Sequence, residues 1–436
     1  MQWHTVLAIM IGLLLALMGL GTPVAIAFFA TNIACIFLFM GGSPAITQMV
    51  SNFGDAVSIY ALTPMPLFLI MGSLFFRSGL GENVFRAIDM CIGNLRARLA
   101  YLTVLAGAVF ASLSGSSLAN TGMMGSTMVP TMLGRGYKPH MAYGPVLGAG
   151  SLAVIIPPSA LAVLLGSLAQ IDVGALLIAG VVPGLLLTSM FIVLIFTQAH
   201  IDSDAAPQYA VERFSLREKL SAVFVNVVPM SVIVFLVVGT IILGIASPTE
   251  SAALGCLGVA GLMIAYRRFS WALIWRSLED AMKVTGMTFL IIAASTTFAQ
   301  VLAFSGASGG FVQWLLAFGA SPMMLLALMV AAILVLGMFM DQLSMMLITL
   351  PIFIPIATSL HFDLVWFGML LLLSYEIGFT TPPFGLLLFV MLGVAPRGTT
   401  LGTVARAALP YVFCTIALIA LIAAFPQIAL LLPGWK

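Results

Sequence analysis

Apolar runs of about 20 residues recur from one end of this chain to the other, each long enough to cross roughly 30 Å of hydrocarbon as an α-helix. Lipid offers no partner to a backbone N–H or C=O, so a chain that spans it must be helical or a closed barrel. The period-two alternation of a membrane barrel strand is absent. The expected fold is therefore an all-α polytopic membrane protein, with candidate spans at 3–20, 24–40, 60–76, 173–198, 220–245, 249–266, 284–304 and 404–432. Two regions, 99–170 and 321–395, are more complex. Composition agrees: 7% of the 436 residues are charged, against roughly 25% in an ordinary soluble protein.

Several function classes have no support in the residues. A net charge of +2 makes no electrostatic case for nucleic acid. Cys35, Cys91, Cys256 and Cys414 show neither C-x-x-C nor Cys/His spacing and read as small apolar fillers. HExxH and P-loop patterns are missing, so metal-dependent proteolysis and ATP hydrolysis are not indicated, and the chain does not read as an enzyme. The first residues lack a basic stretch ahead of the apolar run and read as a retained span rather than a cleaved signal.

Within one apolar run, "AVIIPPSALA" (Ala153–Ala162) places Pro157 beside Pro158, although one proline inside a helix costs roughly 3 kcal/mol. A second pair, Pro382-Pro383, follows at 382 − 157 = 225. The same offset relates Pro23 to Pro248 (248 − 23) and Pro130 to Pro355 (355 − 130), each in a matching local context. The chain reads as an internal duplication: a first repeat at 1–198, a connecting loop at 199–219 inside the polar segment His200–Ser221, and a second repeat at 220–436.

Lysine and arginine set the orientation. Arg77, Arg86, Arg96 and Arg98 cluster after the third span, whereas the corresponding stretch 302–323 has no Lys or Arg. Arg135 and Lys138 map to Leu360 and Asp363, while Asp172 maps to Arg397. Basic faces that alternate between repeats indicate inverted topology, a mark of secondary transporters. With Arg77–Arg98 cytoplasmic, both termini become periplasmic and the connecting loop cytoplasmic. Segment 99–133 is then a re-entrant hairpin with its tip near Ser114–Asn120. Segment 321–359 is its counterpart from the other side, with its tip near Gly337–Ser344. Broken helices are expected at 140–170 and 364–395. Stretches 82–98 and 269–283 mix charged and apolar residues and read as helices along the membrane surface. Glu82 and Arg86 at i, i+4 form a solvated face.

The polar residues concentrate at these breaks and tips. "SLSGSSLANTG" (Ser112–Gly122) supplies hydroxyls, an amide and small residues mid-membrane. Helix packing is its bland reading, but its density at a tip facing a broken helix points to a site whose free carbonyls ligate a hard cation such as Na⁺. Asp341 aligns with Ser116 (341 − 225) and is expected to ligate a cation, bind a proton or organise its tip. Glu376 supports the site or the structure. Glu250, in "SPTE", has capping-box spacing with proline at N1. No Lys or Arg lies inside the hairpin or broken-helix segments, so an anionic substrate must be held by helix N-termini, amides and hydroxyls. Half-helices starting at Ser159 and Phe384 supply such ends, and Ser117, Ser159 and Gly385 are the candidate substrate contacts.

The ordered set "SGSSLANTGMMGSTMVP", "RGY", "GAGSLAVIIPPS", "SPTESAA" and "YEIGFTTPPFGLLLFV" resembles the large membrane subunit of tripartite ATP-independent periplasmic (TRAP) transporters over essentially the whole chain. The resemblance implies a Na⁺-coupled importer of organic acids in the bacterial inner membrane. Its implied partners are a small four-helix membrane subunit on a separate polypeptide and a periplasmic substrate-binding protein. An elevator core of 99–170 plus 321–395 is implied, moving against a scaffold with surface arm helices. It also implies Na⁺ sites between each tip and its neighbouring break: Ser114, Gly115, Ser116, Asn120, Ile156 and Pro157 in the first repeat, Gly337, Asp341, Thr380 and Thr381 in the second. One departure is visible. After the second proline pair the family often reads Gly-Leu-Asn-Leu, whereas here Leu387 follows Leu386, which makes the site more apolar there. A stand-alone anion transporter or exchanger of the same fold and a channel are the competing readings.

Overall fold

The computed structural model describes residues 2–40, 43–93, 95–208, 214–317, 319–383 and 385–435, and among these every regular element is helical. The first half runs α1 (Trp3–Gly19), α2 (Val24–Phe39), α3 (Ser43–Val57), α4 (Pro64–Arg77), α5 (Leu80–Cys91), α6 (Arg98–Ser114), α7 (Ser117–Gly134), α8 (Pro139–Ser151), α9 (Ala160–Ala169) and α10 (Val173–Ile201). The second runs α11 (Leu216–Ile242), α12 (Pro248–Ala265), α13 (Trp271–Phe304), α14 (Ala307–Ala317), α15 (Pro322–Gly337), α16 (Gln342–Ser359), α17 (Leu364–Phe379), α18 (Leu386–Val394), α19 (Leu401–Ala424) and α20 (Gln427–Leu430).

Seven helices among the described residues are long and apolar enough to cross a membrane: Tyr60–Arg77, α10, α11, α12, α13, α16 and α19. The spans expected at 3–20 and 24–40 are helices of 17 and 16 residues, roughly 25 Å long at 1.5 Å per residue. The last expected span, 404–432, stops earlier: α19 ends at Ala424 and Pro426 follows.

Both expected surface helices need correction. The first ends at Cys91, before Gly93 and a left-handed Ala97 (φ 57°), rather than reaching residue 98. Glu82 and Arg86 are exposed on it. The second is no separate helix but the start of α13, which runs unbroken for 34 residues. The sequence suggested a boundary there because of a charge cluster, yet nothing between Trp271 and Phe304 removes a backbone donor, and one glycine, Gly286, is tolerated in a helix. The charges are satisfied on its flanks, Lys283 by Glu279 at 2.7 Å and Asp280 by Arg77 of α4 at 2.5 Å.

Small residues set how closely the central helices approach, as expected where packing rather than water drives association. Gly107 of α6 lies against Ala149 of α8, and Gly150 of α8 against Thr121 of α7. Gly144 and Gly148 receive the ring of Tyr411 from α19. Helix α8 is thereby enclosed by α6, α7 and α19, and α17 packs against α15, α16, α19 and α9 with every residue from Trp366 to Phe379 buried. Helix α4 packs on α12 and α13 on one side and on α6 and α9 on the other.

The connecting segment folds back on α8: Lys138 N–H donates to Ala205 O at 2.9 Å and its ammonium to Asp202 at 2.6 Å. That hydrogen bond holds the Asp202 carboxyl below its usual range. The capping box read at "SPTE" is formed. Glu250 N–H donates to Ser247 Oγ at 3.3 Å, while Glu250 Oε2 accepts from Ser247 N–H at 2.7 Å. Ser247→Ala is expected to cost about 1 kcal/mol, read as a small drop in the thermal midpoint in detergent.

Candidate functional site

The first proline pair interrupts a helix. After α8 the chain makes a short 3₁₀ turn (Leu152–Val154), crosses a cis Pro157-Pro158 bond and restarts at Ala160. Ser159 caps the restart, its Oγ accepting from Ala162 N–H at 3.2 Å. Facing this break is the turn between α6 and α7. Gly115 sits there at φ 57°, and a Cβ on it would stand 2.9 Å from Pro158 O and 3.2 Å from Ala160 N. Only glycine combines that φ with so close an approach. The turn itself is narrower than the expected Ser114–Asn120 tip. Residues 115 and 116 form it, Ser116 Oγ caps α7 by accepting from Ala119 N–H at 3.4 Å, and Asn120 lies in the first turn of α7.

Asn120 is fully buried and clamps three helices. Its Nδ2 donates to Gly107 O of α6 at 3.1 Å and to Ala149 O of α8 at 2.8 Å, while its Oδ1 has no partner. A buried acceptor without a donor is a site a cation fits.

The second proline pair, also cis, separates α17 from α18. Phe384, where a half-helix was expected to start, lies outside the described residues; α18 begins at Leu386 with Gly385 at its N-cap. A side chain on Gly385 would meet the Thr381 backbone at 2.8 Å. Thr380 and Thr381 donate their hydroxyls to Ile377 O at 3.0 and 2.6 Å, leaving oxygen lone pairs available. The turn between α15 and α16 packs on this break through Gly337, whose backbone touches that of Gly378. Asp341 precedes α16 as its N-cap residue and accepts from Ser344 Oγ.

The elements converge on a cavity of about 120 Å³ lined by Gly115, Ser116, Ser117, Ala160 and Gln342 together with apolar residues of α4 and α9. Ser117, Ala160 and Gln342 are the first residues of α7, α9 and α16, so three helix N-termini open on one space that no Lys, Arg or His lines. A wider space of about 440 Å³ adjoins Ser114 and Ser116 and carries Arg77 and Asp280 on its wall. Beneath the cavity lies Glu376 of α17, 1% exposed, whose Oε2 accepts from Ser117 Oγ at 2.9 Å and from Gln342 Nε2.

Of the expected substrate contacts, Ser117 lines the cavity. Ser159 is 1% exposed and commits its hydroxyl to capping α9, and Gly385 belongs to the second break. Of the expected cation residues, Gly115 meets the first break directly, Ser114 lies against Gly72 of α4, Ser116 caps α7, Asn120 bonds α6 and α8, and Ile156 packs its side chain on Gly184 beside Pro157. Gly337 meets the second break at Gly378, and Thr380 and Thr381 form that break. Leu387 is fully buried in α18. The residue the sequence reading missed is Gln342. Its signal was available, since 342 − 225 = 117 pairs it with Ser117.

A family model described as "Tripartite ATP-independent periplasmic transporter, DctM component" matches residues 11–428. The chain is 34% identical over 377 residues to the C4-dicarboxylate TRAP transporter large permease protein DctM of Pseudomonas aeruginosa, covering 86% of this chain and 87% of that one. It is 27% identical to the sialic acid TRAP transporter permease protein SiaT of Haemophilus influenzae, covering 96% and 67%. It is 28% identical to the ectoine TRAP transporter large permease protein TeaC of Halomonas elongata, covering 97% and 98%. Among solved structures, the YdaH transporter of Alcanivorax borkumensis shares the fold at a TM-score of 0.62, with 16% identity and 90% and 89% coverage.

Proposed function

The chain belongs to the DctM component family of TRAP transporters, and from that premise we propose that it imports an organic acid, coupled to Na⁺, by an elevator movement. As a large permease component of such a system it is a multi-pass membrane protein and not an enzyme. The substrate reading is carried by one observation, the three helix N-termini of α7, α9 and α16 opening on a cavity free of basic side chains. Backbone N–H groups and the positive ends of helix dipoles favour an anion there without a fixed cation. Relatives named for C4-dicarboxylate and sialic acid are in keeping with an organic acid.

Support for inverted repeats comes from helix bounds that recur at one offset. For α7 and α16, 342 − 117 and 359 − 134 are both 225, and for α8 and α17, 364 − 139 is 225. On this reading 99–170 and 321–395 form the moving core and α4, α12 and α13 belong to the scaffold. Na⁺ is held at the first break by Asn120 Oδ1 with the Ser114–Ser116 turn and the Ile156–Pro157 backbone, and at the second by Asp341 with Gly337, Thr380 and Thr381. All these donors are oxygens, as a hard cation requires. The transmembrane Na⁺ gradient would supply the driving force, with these residues holding the ion as it moves. The chain's own groups neutralise and orient the substrate, and Gly115 and Gly337 keep each turn seated on its break.

The same reading places the protein in the bacterial inner membrane with periplasmic termini, working with a small membrane subunit and a periplasmic binding protein. Reconstitution tests it against the stand-alone alternative. Proteoliposomes containing this chain and its small subunit are expected to accumulate a labelled organic acid only when the cognate binding protein is added. Equal uptake by this chain alone would overturn the tripartite reading.

A further inference from the structure

We propose that Glu376 is a positioning residue that sets the two halves of the substrate cavity against each other, and that it works through hydrogen-bond geometry rather than charge. The inference rests on the proposed function, because it concerns the same cavity. Glu376 does not line that cavity. It reaches the space only through Ser117 and Gln342, which both donate to its Oε2. These donors are the opening residues of α7 and α16, at equivalent places in the two halves (117 + 225 = 342). A single oxygen on α17 therefore fixes the relative placement of two helix N-termini that face the substrate. Neither helix supplies a residue that holds both.

The other oxygen, Oε1, has no partner. Glu376 also lines a narrow space of about 10 Å³ with Ser151, Thr380, Thr415 and Tyr411, whose own hydroxyl is buried without a partner. Ser151, Thr380 and Thr415 each donate their hydroxyl proton to a backbone carbonyl: Gly148 O at 2.8 Å, Ile377 O at 3.0 Å and Tyr411 O at 3.1 Å. What they offer to Glu376 is lone pairs. Glutamine keeps an accepting oxygen for the Ser117 and Gln342 bonds and removes only the charge, its amide nitrogen facing a space lined by hydroxyls. The ion pairs of Arg77, Arg98, Lys138 and Lys283 are made with Asp280, Asp89, Asp202 and Glu279, and none of these involves Glu376. Among the described residues no basic side chain is paired with its carboxylate, and comparing glutamine with alanine there separates hydrogen-bond geometry from charge acting on a nearby ion.

The test compares E376Q with E376A in the full chain, reconstituted with its small subunit and binding protein. E376A is expected to raise the KM for the organic acid far more than it lowers the maximal rate, with a loss of uptake efficiency on the order of 100-fold. E376Q is expected to restore most of that loss, and Ser117→Ala with Gln342→Ala to reproduce E376A while Glu376 stays in place. A second readout does not depend on transport. Spin labels replacing the exposed Ser126 of α7 and Thr358 of α16, in a background without the native cysteines, are expected to give one narrow distance in the parent and E376Q and a broad one in E376A. E376Q as inactive as E376A would overturn the proposal by showing that the carboxylate charge matters. An unchanged distance distribution in E376A would overturn it too. If E376A does not fold, E376Q and the double variant decide. Wild-type proteoliposomes that take up no organic acid would refute the proposed function instead, and the label distances would still judge Glu376.

Discussion

Asn120→Leu is expected to destabilise the protein by about 1–3 kcal/mol, since two buried amide-to-carbonyl hydrogen bonds of roughly 0.5–1.5 kcal/mol each are lost, less the relief of removing an unpaired Oδ1. Those carbonyls, Gly107 O and Ala149 O, belong to α6 and α8, so the loss loosens three helices at once. Leucine keeps the branching of asparagine, replacing its amide oxygen and nitrogen with bulkier methyl groups. Thermal unfolding in detergent measures it, and a midpoint equal to the parent's would contradict the clamp. On the proposed function the same variant also loses the first Na⁺ site. A stability dependence on Na⁺ should then be weaker than in the parent at equal ionic strength.

The second large effect concerns coupling. Asp341→Asn is expected to raise the Na⁺ concentration needed for half-maximal uptake by at least about tenfold, the scale on which weakened ligand shells lose metal affinity. The helix should survive, because asparagine is as good an N-cap residue as aspartate and its side-chain oxygen can still accept from Ser344 Oγ. That separation makes the variant informative. Reduced Na⁺ affinity with an unchanged thermal midpoint identifies Asp341 as a ligand. Unchanged Na⁺ dependence assigns it instead to organising the start of α16.

The sequence carried the architecture where backbone chemistry is unambiguous. Proline pairs have to end helices, and α8 and α17 end ahead of them. "SPTE" has to cap, and Ser247 with Glu250 does so. It was less informative where charge stood in for a backbone breaker. The cluster from Arg276 to Lys283 looked like a surface helix because charge and apolar face alternated, but charge does not terminate a helix, and α13 continues through it. The candidate site was legible in composition and in offset: a polar tip at Ser114–Asn120, an acid at Asp341, and small residues where turns meet breaks. What was hidden is which atoms remain free. Sequence cannot tell that Ser159 spends its oxygen on Ala162 N–H while Asn120 keeps Oδ1 unpaired, because both outcomes depend on tertiary placement. Gln342 was hidden for another reason. Its equivalence to Ser117 lay in the arithmetic, but glutamine and serine share no motif, and only the shared bond to Glu376 ties them together.

Energetically, the two buried charged side chains near the site each have partners, while Asn120 Oδ1 and Glu376 Oε1 stay unpaired. Among the described residues Arg98 and Glu376 are the buried Arg and Glu side chains. Arg98 is neutralised by Asp89 at 2.9 Å, and Glu376 is held by two side-chain donors. The polar groups on the cavity wall are the backbone and hydroxyls of Gly115–Ser117 and the amide of Gln342, beside apolar side chains of α4 and α9.

The most direct test of Na⁺-coupled import is uptake of a labelled organic acid into proteoliposomes that contain the chain and its small subunit, with binding protein outside, under an imposed inward Na⁺ gradient. The account predicts accumulation above the external concentration, collapse of that accumulation when a Na⁺ ionophore dissipates the gradient, and no accumulation when choline replaces Na⁺. Accumulation of equal size with and without Na⁺ would contradict it.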